Sequence, residues 1–211
     1  MTTTAQSIIL QAQQQLQDED GVRWPATDLV EHLNAGIRRL VTLRHEAFTK
    51  TVAHTLIAGA RQAMPADNAL LLEIPRNSTG GTIRPTDRTQ LEVVDDKWYT
   101  GRGTLKIVHT THDVRDPNVF YVWPAALAGA SVDLVYAAWP VPVPMPSGPA
   151  ALTVTGDVPA SDEFANALLH FVLFRAFSVD SEFGSNAALS AAHYQLFTTL
   201  AGVPAPAVAA T

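Results

Sequence analysis

Residues 162–178, DEFANALLHFVLFRAFS, decide how this chain is read. Their composition is helical, and apolar side chains fall on nearly every side of the helix they would form. A helix apolar all round is enclosed by other elements on all its faces. The apolar run Leu168–Phe174 is far shorter than the ~20 residues that cross a bilayer, so the chain itself must do the enclosing. Arg175 is the exception within it, and a charge in such surroundings needs a partner. Downstream, a last helix runs from near Asn186 to Ala201 with Leu189, Ala192, Leu196 and Leu200 on one face, and Gly202 stops it. The remaining Val203–Thr211 is Pro/Ala-rich and without a charged side chain. Upstream, Pro140–Pro159 holds six of the chain's 14 prolines. Alternating proline there makes a stiff, extended connector.

The first fifty residues read as two further helices. Ala5, Ile9, Ala12 and Leu16 form one apolar stripe behind Thr2-Thr3-Thr4 as cap, and the opposite face is rich in glutamine. Asp18-Glu19-Asp20-Gly21 turns the chain. Trp24-Pro25 opens the second helix, where a missing N–H costs nothing. Leu29, Leu33, Ile37, Leu40 and Val41 are its stripe; Asp28 and Glu31 lie toward the positive end of its dipole, with Arg38, Arg39 and Arg44 toward the negative end. From Thr51 to Pro140 the apolar period changes from 3.6 to 2. Strands are predicted at Thr51–Ile57, Ala69–Ile74, Leu105–His109, Val119–Trp123 and Ser131–Ala138. Asp116-Pro117-Asn118 is a turn, and Asp87–Trp98, which lacks alternation, a short inserted helix.

The predicted class is α+β: a helical bundle built from N- and C-terminal helices, packed through complementary apolar stripes, with an inserted small antiparallel β domain. The predicted divisions are a helical hairpin over 1–50, a β-rich block over 51–140, a Pro-rich connector over 141–161, bundle-completing helices over 162–202 and an extended tail over 203–211.

Composition excludes several functions. Over 211 residues, 14 basic and 20 acidic side chains leave a charge of −6, and 47% of residues are hydrophobic, well above the disordered range. Residues 141–211 carry only Arg175 against Asp157, Asp162, Glu163, Asp180 and Glu182. Without a basic stripe the chain is not built to grip nucleic-acid phosphates; a neutral or acidic surface lets DNA slide past. The absence of cysteine removes disulfides, thiolate metal sites and Cys nucleophiles. Met1–Leu10 carries no basic residue ahead of an apolar run, so no signal peptide is read. The expectation is a soluble protein of a reducing compartment.

Reactive constellations are sparse. His109-Thr110-Thr111-His112-Asp113, with Asp116, holds the residue types of a metal site. On a strand, however, positions 109 and 112 face opposite ways, and the favoured reading is a polar hairpin loop. Gly80-Gly81 reads as a turn, Asp95-Asp96-Lys97-Trp98 as a solvated loop, and His170 and His193 as hydrogen-bonded core or interface histidines. No phosphate-cradling glycine loop, HExxH or GxSxG occurs. No frame holds two carboxylates across a cleft as a glycosidase requires. The expectation is no enzyme, no cofactor and no metal.

An ordered set of short motifs resembles the head-to-tail adaptor, or connector, proteins of short-tailed and related phages. At the front stand Asp20-Gly21-Val22-Arg23-Trp24 and, within Leu29–Arg39, Leu33-Asn34-Ala35-Gly36. Gly59-Ala60-Arg61-Gln62, Met64-Pro65, Arg76-Asn77, Asp87-Arg88, Asp116-Pro117, Phe120-Tyr121-Val122 and Leu134-Val135-Tyr136 with Pro140 follow in order. Asp162–Leu169, Arg175-Ala176-Phe177-Ser178, Asp180-Ser181-Glu182-Phe183 and Ala191–Phe197 complete it, so the resemblance covers residues 4–200. One departure is Pro25-Ala26-Thr27-Asp28, which stands where a Ser/Thr capping box with Glu belongs. The resemblance implies a non-enzymatic virion protein, made in the host cytoplasm and placed at the head–tail junction. There it forms a ring, usually of twelve copies, beneath the portal protein. The ring receives the tail nozzle or tube protein, and DNA passes through it without specific binding; no membrane is involved. It also implies that C-terminal elements engage the portal, which designates Gly202, Val203, Pro204, Ala205, Pro206, Ala207 and Val208 as the partner interface. The alternative is an enzyme or ligand-binding β module such as a cell-wall hydrolase.

Overall fold

The computed structural model describes residues 3–147, 153–179 and 184–202. Its first elements are α1 (Ala5–Leu16), α2 (Ala26–Leu43), β1 (Thr49–Thr55), β2 (Gly59–Ala63), β3 (Asn68–Asn77) and β4 (Arg84–Pro85). There follow α3 (Arg88–Val94), β5 (His109–His112), β6 (Val119–Ala126), β7 (Ser131–Ala138), α4 (Ala165–Val179) and α5 (Gly184–Leu200). The chain divides into two compact units: Phe48–Trp139, and the described residues on either side of it in the sequence.

In the helical unit α4 is the central post, and α1, α2 and α5 each pack on it. Its buried residues, among them Ala167, Leu168, Leu169, Phe171, Val172 and Leu173, spread around the helix, as an apolar sequence demands. Thr4 caps α1 by accepting the Ser7 N–H on its hydroxyl (3.3 Å). Pro25 precedes α2, whose Leu29, Leu33, Ile37, Leu40 and Val41 are all buried. Two expectations fail here. Arg175 does not lie inside an enclosed helix: it is exposed, because α4 keeps one edge open to solvent. On α5 the stripe Leu189, Ala192, Leu196 and Leu200 faces outward, each leucine being 44–45% exposed, while Ser190 and Phe197 are buried. Periodicity locates an apolar face; it does not say whether a partner within the chain covers it.

The predicted architecture, a helical bundle built from N- and C-terminal helices with an inserted small antiparallel β domain, is corrected. The described residues form a mixed α+β structure with five helices and seven strands in two sheets. The first sheet has the order β1-β7-β3 and is antiparallel. The second has the order β2-β6-β5-β4 and is mixed, since β4 runs parallel to β5. One helix, α3, belongs to the β-rich residues and packs Leu91 with Trp98, Ala60 and Ala125. Both sheets feed one core, including Leu56, Ile74, Ile107, Phe120, Val122, Val132 and Leu134. β2 and β4 were not predicted: Gly59–Ala63 has no β-branched or aromatic residue, and Arg84–Pro85 is too short to show a period. The strand predicted at Leu105–His109 begins at His109 instead. Ile107 is fully buried, yet its N–H and C=O are taken by the Asn77 side chain (2.8 and 2.9 Å) and not by a neighbouring strand.

Candidate functional site

Several polar residues, among them Asn34, Gln62 and Asn77 of the ordered motifs, turn out to be joints. The Asp18 carboxylate accepts the N–H groups of Val22 (3.0 Å), Arg23 (2.9 Å) and Trp24 (2.6 Å), which closes the α1–α2 turn. Those bonds, that of Trp24 foremost, hold its carboxyl below the usual carboxylate range. Asn34, buried on α2, donates to the Val143 carbonyl (3.0 Å) and accepts the Val143 N–H (2.8 Å). One amide thereby fixes the Pro-rich connector as a strand partner would. Two residues later a Cβ on Gly36 would come within 2.9 Å of the Phe171 ring, so only glycine lets α2 approach α4 this closely. Arg44 donates to the Ala201 carbonyl (2.6 Å), satisfying a carbonyl at the end of α5. It also bonds Glu46 and lies over the Phe164 ring.

The β unit is jointed in the same manner. Gln62, 1% exposed, accepts the Ile57 N–H (2.9 Å) and donates to the carbonyls of Ile57 (2.9 Å) and Gly59 (2.8 Å). Asn77 ties Ile107 to the Gly80-Gly81 turn through the Gly81 carbonyl (3.1 Å). Asp133 takes Arg76 (2.6 Å) and Ser78 (2.7 Å), and Asp67 takes Lys50 (2.9 Å) and the Tyr136 hydroxyl (2.9 Å). Lys50 is the main cause of a lowered Asp67 carboxyl, while burial and then Asp67 push the Tyr136 phenol up to about 12.

The residues with metal-ligand chemistry are not gathered. His109–His112 is β5, not the predicted hairpin loop, and its two histidines line different clefts. His109 Nδ1 lies 2.7 Å from the Thr86 hydroxyl. His112 borders a cleft with Asp87, Asp113, Arg115 and Tyr121, where the Arg115 side chain holds the Asp113 carboxyl at about 2. Asp95 accepts the Lys97 N–H (3.0 Å) and the Trp123 indole N–H (3.4 Å), and Trp98 is buried. His170 and His193 face each other across α4 and α5, Nδ1 to Nδ1 at 3.0 Å. Burial lowers both imidazoles. Among the described residues no three His, Cys, Asp or Glu side chains come together as a metal would need.

What the two units do present is apolar surface. In the helical unit it is the outward leucines of α5, a helix without a charged side chain; in the β unit, separately, α3 exposes Val93 (88%) and Val94 (73%). Such surface on a folded domain marks sites of contact with other molecules. Of the designated interface, Val203, Pro204, Ala205, Pro206, Ala207 and Val208 lie outside the described residues. Gly202 ends the helical unit at φ 70°, donating to the Thr199 carbonyl (3.0 Å), and a Cβ there would overlap the Arg44 guanidinium. Sequence reasoning missed the joints Asn34, Arg44, Gln62 and Asn77. For Asn34 the signal is an amide set among apolar residues in a helix stripe, Leu33-Asn34-Ala35-Gly36; Arg44, Gln62 and Asn77 carry no such signal. No described helix is long and apolar enough to cross a membrane.

Comparison with known proteins agrees with the ordered motifs. No curated protein matches the chain. The family model described as SU10 adaptor protein matches residues 3–209, nearly the whole chain. With its motif residues spent on joints and its apolar faces turned outward, the chain belongs to the SU10 adaptor protein family, a family of phage adaptors and hence of virion components.

Proposed function

We propose that this adaptor is a structural, non-enzymatic subunit of a dodecameric ring set between the portal and the tail nozzle or tube. The observation that carries the reading is the family match over residues 3–209. The outward apolar faces on α5 and α3 are of the kind an assembly subunit needs. DNA passes through the ring without being gripped, in keeping with a charge of −6 and the lack of a basic stripe. Residues 202–208 dock on the portal: Pro204 and Pro206 bar helix continuation, and a Pro/Ala arm loses little entropy on ordering.

Co-purification with the portal tests this. The full chain is expected to form a stable portal complex, and a chain truncated after Ala201 to fold but fail to join it. A truncated chain that still joins would remove the tail from the interface. Submicromolar binding of duplex DNA by the free chain at physiological salt would contradict passage without grip.

A further inference from the structure

Arg175 is the only basic residue between 141 and 211, and it stands on a helix otherwise nearly all apolar. Among the described residues it makes no ion pair. Its position follows from Gly36, whose close approach to Phe171 sets α2 against α4. One turn before Gly36 lies His32, and one turn after Phe171 lies Arg175. The two meet: burial first, and the Arg175 charge second, hold the His32 imidazole below its ordinary range. A groove of about 400 Å³ opens at this point, lined by Glu31, His32, Arg38, Met145 and Arg175 among others. Arg38 is exposed and, among the described residues, is also without an ion pair. Two free guanidiniums against one carboxylate make the groove cationic in a chain whose charge is −6.

The guanidinium fork is shaped for a carboxylate. A nucleic-acid backbone fits less well, because Glu31 repels phosphate and two cations in one pocket do not form a track. The complementary surface exists on the same chain. Asp157 and Glu163 are exposed, make no ion pair among the described residues, and lie in a stretch without a basic residue from 141 to 174. Within one copy Glu163 cannot reach the groove. Glu163 precedes α4 and Arg175 lies in its last turns, twelve residues on, which at 1.5 Å per residue is roughly 18 Å along the axis. A cationic groove at one end of α4 and an acidic side chain, Glu163, at the other are two different, complementary surfaces, as a head-to-tail contact between copies requires.

We propose that the α2–α4 groove of one copy receives the acidic edge Asp157–Glu163 of a second copy. This deepens the ring reading and rests on it.

Charge reversal tests it in the full chain by analytical ultracentrifugation at low salt, with circular dichroism to verify folding. The wild type is expected to self-associate. The groove variant Arg38→Glu/Arg175→Glu and the edge variant Asp157→Lys/Glu163→Lys should each weaken association about tenfold or more. An equimolar mixture of the two variants should restore it, since each then supplies the patch the other lacks; misfolded variants could not do this. Failure of the mixture to associate overturns the proposal, as does wild-type strength in either variant alone. A wild type that stays monomeric overturns it too, while a portal complex of that same chain would leave the adaptor reading standing. Duplex DNA binding that the groove variant abolishes would assign the groove to nucleic acid instead.

Discussion

The helical unit and the β unit are held by different chemistry. In the helical unit, distant segments are joined by side chains bonded to backbone: Asn34 to Val143, Arg44 to Ala201, and the Asp162 carboxylate to the Thr3 N–H (2.6 Å). In the β unit the long-range pairs run between side chains of opposite charge, Lys50 with Asp67 and Arg76 with Asp133, beside the amide joints of Gln62 and Asn77. The reason lies in the elements. Helices satisfy their own backbones and leave only ends and connectors to be tied, whereas strands of unequal length leave loops such as 56–58 and 78–83 whose backbone groups need side-chain partners. The helical unit should accordingly depend on packing and the β unit on ionised carboxylates.

Removing the ring at the heart of the helical unit should have the largest effect. Phe171→Ala empties a site 6% exposed that touches the Phe174 and Phe197 rings and the Gly36 backbone. A loss of about 3–5 kcal/mol is expected. Hydrogen exchange should rise in α2, α4 and α5, and β7 should keep its protection; equal loss of protection in β7 would break the distinction. The amide joints come next. Asn77→Ala strands both backbone groups of Ile107, and Asn34→Ala strands both backbone groups of Val143, each costing about 1–3 kcal/mol in urea unfolding.

Acid separates the units further. His32, His170 and His193 of the helical unit all have imidazoles lowered by burial, against His54 alone in the β unit. A lowered histidine binds its proton more readily in the unfolded chain. Its stabilisation is therefore complete above the ordinary value near 6.5 and is lost as the pH falls below it. The β-unit carboxylates Asp67 and Asp133 are lowered by Lys50 and Arg76, so their contribution persists until the pH falls through the ordinary carboxylate range and below. Between pH 7 and 5 the helical unit should lose exchange protection first; earlier loss in the β unit would reverse the assignment. The smallest effect is expected at Arg115→Ala, an exposed pair with Asp113, with no measurable change in melting temperature.

How far the sequence reveals this molecule depends on how local the signal is. Ser131–Ala138 is β7 with the predicted ends, and Asp87 caps α3 within the predicted inserted helix. The period of an alternating strand or the cap of a helix sits in adjacent residues. Pairing does not. Nothing near Arg84–Pro85 reveals that it runs parallel to β5, so the second sheet and the class of the β unit were missed. Likewise the stripe of α5 was visible but its outward direction was not, since direction depends on which face of α4 has room. That His109 and His112 face opposite ways was legible from the alternation of a strand, whereas the joints at Asn34 and Asn77 needed their partners 109 and 30 residues away.

The account's central claim is that this chain works through assembly and not through chemistry. Electron cryomicroscopy of the portal incubated with the full chain tests it most directly. A closed ring of copies beneath the portal, with residues 202–208 against portal subunits and an open axial channel, is the predicted result. A portal left bare under conditions where the chain is folded and in excess would contradict it.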